Sequence, residues 1–548
     1  MSGLRIYHSP YPAARIPTDL SLSQFLLTTN PDDVGDEKTI LEDFGWPNES
    51  ISYGGLRDAA SRYAAALRQV LDFQPGDVAC IYGYNSVKWC VFAHSVLWSG
   101  GSFSYELVHY LEIAQPKVVA VDGELLPRVM SALKEMKLPN GPTIVALDTS
   151  RRILDGPFLK FPVDFESKEA GGIPPYDLSS VDNRTIPAAM VFSSGTSGKP
   201  KGVVLSHHNL IAHLLTVRTT NPFVYNAQVR EVFYPSFAHI YGVTSGILVP
   251  AWTGGYVVAM KHYDFLPYLQ RCSEIKGTIL RLVPATAIRL VKDPASRGLD
   301  LTTVKTVMCA GAALPPEIVT GLQSILDPGT TVLNGYGMSE ATIALQRDTR
   351  SAKAGSVGKP ASGVSIRVVD DNGGDVRPGE DGECLVQTPT VFMHYKDNPS
   401  ETKATFDGRW LKTGDVVRVD DDGFFWLTGR KKELIKYKAN QVAPAELEAI
   451  LLEHPLVSEA GVCGMYDESM DTEVPAGCVV LAQEANRRQQ QEHLKTLKSY
   501  LDNRVAPYKK LRGGIYAVKS LPKGSTGKLL RRELPSLIGD AKRQRSCL

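Results

Sequence analysis

The chain lacks the marks of a secreted, zinc-binding or nucleic-acid-binding protein. Its eight cysteines stand at 80, 90, 272, 309, 384, 463, 478 and 547, with no Cys-x-x-Cys pair and no cysteine–histidine cluster at ligand spacing. Such scattered thiols read as reduced and mostly buried, which excludes a disulfide framework and a structural zinc site. Neither sign of charge prevails: 60 Lys and Arg stand against 59 Asp and Glu, a net charge of +1. There is no global electrostatic ground for nucleic acid or an acidic membrane as partner, while a local basic patch can still hold a phosphorylated ligand. Met1 to Pro10 has no basic flank followed by an apolar core, so no secretory signal is read. No internal repeat or low-complexity segment is present, and nothing specifies an oligomeric state. Ile240 to Met260 is free of charge over a length that could span a bilayer, yet it carries Thr244, Ser245, Pro250, Thr253, Gly254 and Gly255. That composition predicts a buried helix, a turn and a strand rather than a membrane span.

With 548 residues, 43% of them hydrophobic, the chain is too long for one core, and two or more domains are expected. Strands predicted at Asp77–Tyr82, Lys117–Val121 and Thr143–Leu147 alternate with helices at Leu56–Leu71, Val87–Trp98 and Leu125–Met136. A second alternating section places helices at His208–Thr219, Tyr241–Trp252 and Phe265–Cys272 among strands at Val229–Tyr234, Tyr256–Met260, Thr278–Val283 and Thr306–Cys309. This pattern predicts an α/β fold with a largely parallel sheet. After Tyr336 the strands shorten, with turns at Asp370–Gly374 and Asp420–Gly423, as in a small β-rich subdomain. The charged run Gly429–Lys432 then separates the strand Phe424–Leu427 from a final α/β unit beginning at Glu433. The expected division is 1–429 and 430–548.

The most informative stretch is Val191 to Val203, which includes Ser193-Ser194-Gly195-Thr196-Ser197 and Lys199, Lys201. Small residues let backbone N–H groups approach an anion, hydroxyls donate further hydrogen bonds and lysine adds charge, a composition suited to polyphosphate. It is not a Walker A loop, because Gly195 and Gly198-Lys199 are too close and Pro200 stands where Ser or Thr should open a helix. Alone, the run would read as a solvated turn. Four further motifs accompany it in order: Phe237-Ala238-His239-Ile240-Tyr241-Gly242, Asn334 to Glu340, Lys412 to Asp415, and Gly429 to Lys436. A fifth, Pro522 to Lys528, lies near the C-terminus. Together they resemble the signatures of the adenylate-forming superfamily, which includes acyl-CoA synthetases and 4-coumarate-CoA ligases.

The resemblance implies a large N-terminal domain, a small mobile C-terminal α+β domain and an ATP-dependent acid–CoA ligase that passes through an acyl-adenylate. It implies that Ser193, Ser194, Gly195, Thr196, Ser197 and Lys201 hold the β- and γ-phosphates of ATP. Tyr336 would stack on adenine beside Gly337, Ser339 contact the α-phosphate, and Glu340 ligate Mg2+. Asp415 and Arg430 would frame the ribose. Lys528 would bridge phosphate and carboxylate during adenylation, and Lys432 would be the hinge. Lys436, Lys438, Ala439 and Gln441 would face the CoA tunnel after rotation. His239, Cys309, Ala310, Gly311, Ala312, Gly337, Ile343 and Leu345 would line an acyl pocket. These small apolar residues suit an aryl or medium-chain acid and offer no charge to an amino acid's ammonium.

The sequence departs from the family pattern in two places. Ala439 stands where coumarate-ligase-like enzymes have Gly, and Asn440 where they have an aromatic, which weakens the expectation of CoA binding more than that of ATP binding. Ser99 to Leu107 is shorter than usual, predicting a strained or deleted edge strand, with Ser104 as a candidate N-cap for the helix that follows. Two other functions are therefore carried: a stand-alone adenylation enzyme loading a carrier protein, and a degenerate nucleotide-binding paralogue. Ser546-Cys547-Leu548 after a basic run resembles a peroxisomal address, with the cytoplasm as the other expected location.

Overall fold

The computed structural model describes residues 4–104, 109–135, 141–147, 158–166, 171–193, 201–309, 314, 316–327, 329–341, 345–346, 353, 355–438, 440–483, 485–523 and 529–546. An eight-stranded sheet runs in the order His394–Tyr395, Lys201–Ser206, Pro187–Ser193, Ser102–Ser104, Val78–Tyr82, Val118–Val121, Thr143–Ala146, Leu159–Lys160. Its strands are parallel from Pro187–Ser193 onward and antiparallel at the Lys201 edge. Val118–Val121 is buried at all four positions, as expected of a central parallel strand covered on both faces.

Arg230–Phe233, Tyr256–Ala259, Thr39–Asp43 and Trp46–Ser52 form a second sheet, and Ile279–Leu282, Thr306–Cys309 and Thr331–Tyr336 open a third. The β-rich unit is an antiparallel sheet built on Ser365–Val369, Asp381–Gln387, Trp410–Val419 and Phe425–Arg430. The last unit pairs Val457–Asp467, Thr472–Leu481 and Ile515–Ala517, covered by helices that include Pro444–Glu453 and Arg487–Asp502. It has its own core around Leu447, Leu451, Val462, Leu497 and Leu511. The seven cysteines among the described residues are buried and none is in a disulfide. No helix among these residues is long and apolar enough to cross a membrane.

One expectation needs correction. Ser102–Ser104 is neither deleted nor at an edge: it sits between Val78–Tyr82 and Pro187–Ser193, with Phe103 fully buried. The turn before it is tight because Gly101 packs on the Phe73 ring, where a Cβ would lie 2.3 Å from a ring carbon. Ser104 ends that strand with its hydroxyl buried, and the residues whose N–H groups it would cap, 105–108, lie outside the described residues. The expected helix Tyr241–Trp252 is present, as a π-helix over Gly242–Leu248 followed by a short α-helix Val249–Thr253. Within the C-terminal Ser546-Cys547-Leu548, Cys547 and Leu548 lie outside the described residues.

Three histidines are buried in this core: His94, His207 and His213. Burial lowers the first two to about 4 and His213 to about 3. Because their folded values lie below the ordinary value, the unfolded chain binds the extra protons, and the stability they contribute is present above about pH 6.5 and lost toward pH 4. Between pH 7 and 5, where carboxylates stay ionised, each should remove about 2 kcal/mol of unfolding free energy. Denaturant unfolding at the two pH values measures this, and equal midpoints would sink the assignment.

Candidate active site

The phosphate stretch is a hairpin. Pro187–Ser193 and Lys201–Ser206 pair antiparallel with Lys201 opposite Ser193, and buried Val191, Val203 and Leu205 fix the stem. Ser194, Gly195, Thr196 and Ser197, at the tip, lie outside the described residues. At the stem's end the Ser193 hydroxyl is buried with no partner among the described residues, an orphaned donor that fits an incoming anion. Lys201 forms an ion pair with Glu401, and its ammonium lies 4.9 Å from the centre of the Tyr395 ring. The Glu401 carboxyl is held below its usual range by the Lys201 hydrogen bond, with a smaller contribution from Lys432. Tyr395 donates to Glu340 Oε1 at 2.8 Å.

Tyr336, Asp415 and Arg430, the residues expected to frame the nucleotide, meet across two sheets. Thr331–Tyr336 delivers the Tyr336 hydroxyl to Asp415 Oδ2 at 2.7 Å. On the antiparallel pair Trp410–Val419 and Phe425–Arg430, Asp415 stands directly opposite Arg430, whose Nε lies 3.0 Å from Oδ1. Asp415 is only 3% exposed. Burial and then the Asp415 charge hold the Tyr336 phenol well above its usual range, so it is a neutral donor. Ser339 and Glu340 are buried just beyond, while Gly337 is open to solvent. Lys201, Tyr395 and Glu340 thus form one continuous run of contacts, and Tyr336, Asp415 and Arg430 a second that begins four residues from Glu340. Among the described residues no group of three or more His, Cys, Asp or Glu is arranged to hold a metal ion by itself. Glu340, with Oε2 bearing no protein hydrogen bond among those residues, fits Mg2+, which takes one or two carboxylates and completes its shell with phosphate and water.

His239 lies on the turn after Arg230–Phe233. Its Nδ1 accepts from the Tyr241 N–H at 3.2 Å, and its backbone carries Val243 N–H at the start of the π-helix. Gly242 is required by close approach, since a Cβ there would lie 2.0 Å from the Ser236 carbonyl oxygen. The residue that secures this turn, Asn85, has no place in the sequence motifs. Its amide donates to the carbonyls of Pro235 at 3.0 Å and Met260 at 3.2 Å, and its Oδ1 accepts the Phe237 N–H at 2.7 Å. Its only sequence signal is a polar residue between a strand and a helix N-cap, Ser86.

Beside the same turn lies a charge pair that the apolar motifs did not suggest. Arg281 binds Glu231 through Nε–Oε2 at 2.5 Å and Nη2–Oε1 at 3.0 Å, and donates to the Tyr241 hydroxyl. Both charges are nearly solvent-free and spent on each other. Cys309 ends its strand buried; Ala310, Gly311, Ala312 and Ile343 lie outside the described residues, as does the side chain of Leu345. A separate small cleft opens near Trp46, Tyr84, Lys88 and Lys261. It holds none of the signature residues, and its lysines are paired with Glu49 and Glu124.

Lys436, Lys438 and Gln441 have partners of their own. Lys436 and Gln441 stand opposite each other on the hairpin Ile435–Tyr437 and Asn440–Val442. Asp371, on a turn of the β-rich unit, accepts from Lys431 and Gln441 and feels Lys436, and these hold its carboxyl below the usual range. The backbone of Lys436 is bound to Glu473 and that of Lys438 to Thr472. Ala439 and Lys528 lie outside the described residues.

The chain matches the AMP-binding enzyme family over residues 33–396 and the AMP-binding enzyme C-terminal domain over residues 446–528. It is 30% identical to 4-coumarate–CoA ligase-like 9 of Oryza sativa subsp. japonica, covering 96% of this chain and 95% of that protein. It is 31% identical to peroxisomal OPC-8:0-CoA ligase 1 of Arabidopsis thaliana, covering 89% and 88%. Its fold superposes on that of the anthranilate CoA ligase AuaEII in complex with anthranoyl-AMP with a TM-score of 0.82 and 25% identity, covering 95% of this chain and 98% of that one. The chain belongs to the AMP-binding enzyme family, the adenylate-forming superfamily, and within it to the AMP-forming acid–CoA ligases.

Asn85→Ala leaves the Phe237 N–H and two carbonyls without their partner. An unfolding free energy lower by about 1–3 kcal/mol is expected, together with a raised KM for the acid as the His239 turn loosens. A variant as stable as the parent, with unchanged KM, would show that Asn85 does not hold the turn.

Proposed function

We propose that the described cluster is the adenylation site of a ligase acting on an aryl or medium- to long-chain carboxylic acid. The observation that carries this reading is the convergence of motifs far apart in sequence on two adjoining runs of contacts, from Lys201 to Glu340 and from Tyr336 to Arg430. A carboxylate oxygen of the acid attacks the α-phosphorus of ATP and pyrophosphate departs. The CoA thiol then attacks the acyl carbon, AMP departs, and the thiol proton is released. Neither step needs a protein nucleophile, so positioning and charge stabilisation carry the catalysis.

In this reading Ser193, the hairpin tip and Lys201 bind the β- and γ-phosphates, and Ser339 binds the α-phosphate. Asp415 can accept from two ribose hydroxyls because its carboxylate is pre-oriented by Tyr336 and Arg430. The Tyr336 hydroxyl is occupied by Asp415, which leaves its ring face for adenine. Mg2+ bound at Glu340 would neutralise phosphate charge. His239 borders the acyl chain, and the buried Glu231 beside it is committed to Arg281 rather than to an ammonium group of the substrate. The seating of Ser102–Ser104 inside the sheet supports an active enzyme over a degenerate nucleotide binder. Residues 430–548 would rotate about Lys432 between the half-reactions, bringing Lys528 to the first, and Lys436, Lys438, Ala439 and Gln441 to the second.

Pyrophosphate release across a panel of aryl acids, fatty acids and amino acids, with and without CoA, tests the substrate class. Aryl or fatty acids should drive release, and CoA should be consumed with AMP formed. A free amino acid as the best substrate, or turnover indifferent to CoA, would overturn it.

The two half-reactions should separate by mutation. Removing a charge donor from a transition state costs on the order of 3–4 kcal/mol, roughly a hundred- to thousandfold in rate. Lys528→Ala should lose acyl-adenylate formation by about that factor yet convert supplied acyl-adenylate and CoA. Lys432→Pro should do the reverse, because a fixed φ opposes rotation. Equal slowing of both half-reactions by Lys528→Ala would refute the assignment.

A further inference from the structure

We propose that Tyr395 is a positioning residue that sets the Glu340 carboxylate for a divalent cation and couples it to Lys201 on the phosphate hairpin. The proposal rests on Glu340 being the metal-binding carboxylate. A glutamate side chain has three torsions and, left to itself, offers a cation many orientations, so something must fix it before binding. The Tyr395 hydroxyl does this from one side, donating to Oε1 at 2.8 Å, and leaves Oε2 without a protein hydrogen bond among the described residues.

The phenol is itself immobile. Tyr395 is 4% exposed, pairs with Val203 at the edge of the eight-stranded sheet, and stacks at a tilt on Phe392 with ring centres 4.7 Å apart. The same segment grips the backbone of Glu340: Phe392 N–H donates to the Glu340 carbonyl at 2.7 Å, and Ala341 bridges Val391. Glu340 is therefore held at main chain and side chain by residues 391–395.

The second half of the device is the face of the ring. The Lys201 ammonium lies 4.9 Å from its centre, within cation–π range, while Glu401 takes the ammonium from another side. One tyrosine thus presents its hydroxyl edge to the carboxylate and its face to the phosphate-binding lysine. A phosphate engaging Lys201 and a cation engaging Glu340 would be set relative to each other by a single rigid group.

Tyr395→Phe removes one oxygen and keeps the ring, so the packing on Phe392 and Val203 and the contact with Lys201 persist. In the full-length enzyme, Mn2+ titrated by electron paramagnetic resonance with a non-hydrolysable ATP analogue should bind about tenfold more weakly, the loss expected for one hydrogen bond to a charged group. The Mg2+ concentration for half-maximal pyrophosphate release should rise similarly, while kcat at saturating Mg2+ and the unfolding midpoint stay near those of the parent. In a Glu340→Gln background the Tyr395→Phe change should cost nothing further in Mn2+ affinity. Superimposable Mn2+ titrations for Tyr395→Phe and parent, or a fall in kcat that saturating Mg2+ does not restore, would overturn the proposal. If Glu340→Gln itself leaves Mn2+ affinity unchanged, it is the assignment of Glu340 that fails.

Discussion

The constraint on which the rest depends is the burial of carboxylates. Asp415, Glu340 and Glu231 are each at most 5% exposed, and an ionised carboxylate taken out of water is stable only where fixed donors replace the solvent. In each case the donor comes from a distant segment: Tyr336 and Arg430 for Asp415, Tyr395 for Glu340, Arg281 for Glu231. For Asp415 the pairing is set by strand register. A slip of one residue between Trp410–Val419 and Phe425–Arg430 would send Asp415 and Arg430 to opposite faces and expose Val417, Val419 and Phe425, all fully buried. Core packing and site geometry are thus one condition.

The placement of charge also explains how several sheets are joined at the proposed site. The hairpin of Ser193 and Lys201 closes the antiparallel edge of the eight-stranded sheet, and Tyr336 ends a strand of another. Asp415 and Arg430 belong to the β-rich sheet. No sheet supplies a complete set, and the joints between them are polar side chains rather than shared strands. Glu401 is one such joint, paired with Lys201 and, more weakly, within the field of Lys432 on the segment after Arg430.

What could be read from sequence followed from how local each signal is. The strands at 78–82, 118–121 and 306–309 and the helix Val87–Trp98 were legible because an apolar run or period names them directly. The phosphate stretch, Tyr336, Glu340, Asp415 and Arg430 were legible only together, since each alone has the composition of a turn. The interior position of Ser102–Ser104 was hidden: three residues carry no period, and a shortened connection reads as damage until Gly101 is seen packed on Phe73. Asn85, Tyr395 and the Arg281–Glu231 pair were hidden for another reason. Their partners lie from 50 to more than 150 residues away, and no spacing rule joins them.

The Lys436 hairpin shows how a local departure from a family pattern is weighed by geometry. Tyr437 pairs with Asn440 across this hairpin, and Ala439 lies outside the described residues. Lys438 takes φ +53°, a conformation for which a side chain incurs strain. Two bonds repay it: the Lys438 N–H donates to Thr472 Oγ1 at 2.7 Å, and that hydroxyl donates to the Lys436 carbonyl at 2.8 Å. Thr472 therefore clamps the turn from the neighbouring strand. The left-handed conformation of Lys438 is set by a tertiary partner as well as by its place next to Tyr437, a constraint that no local sequence signal carries.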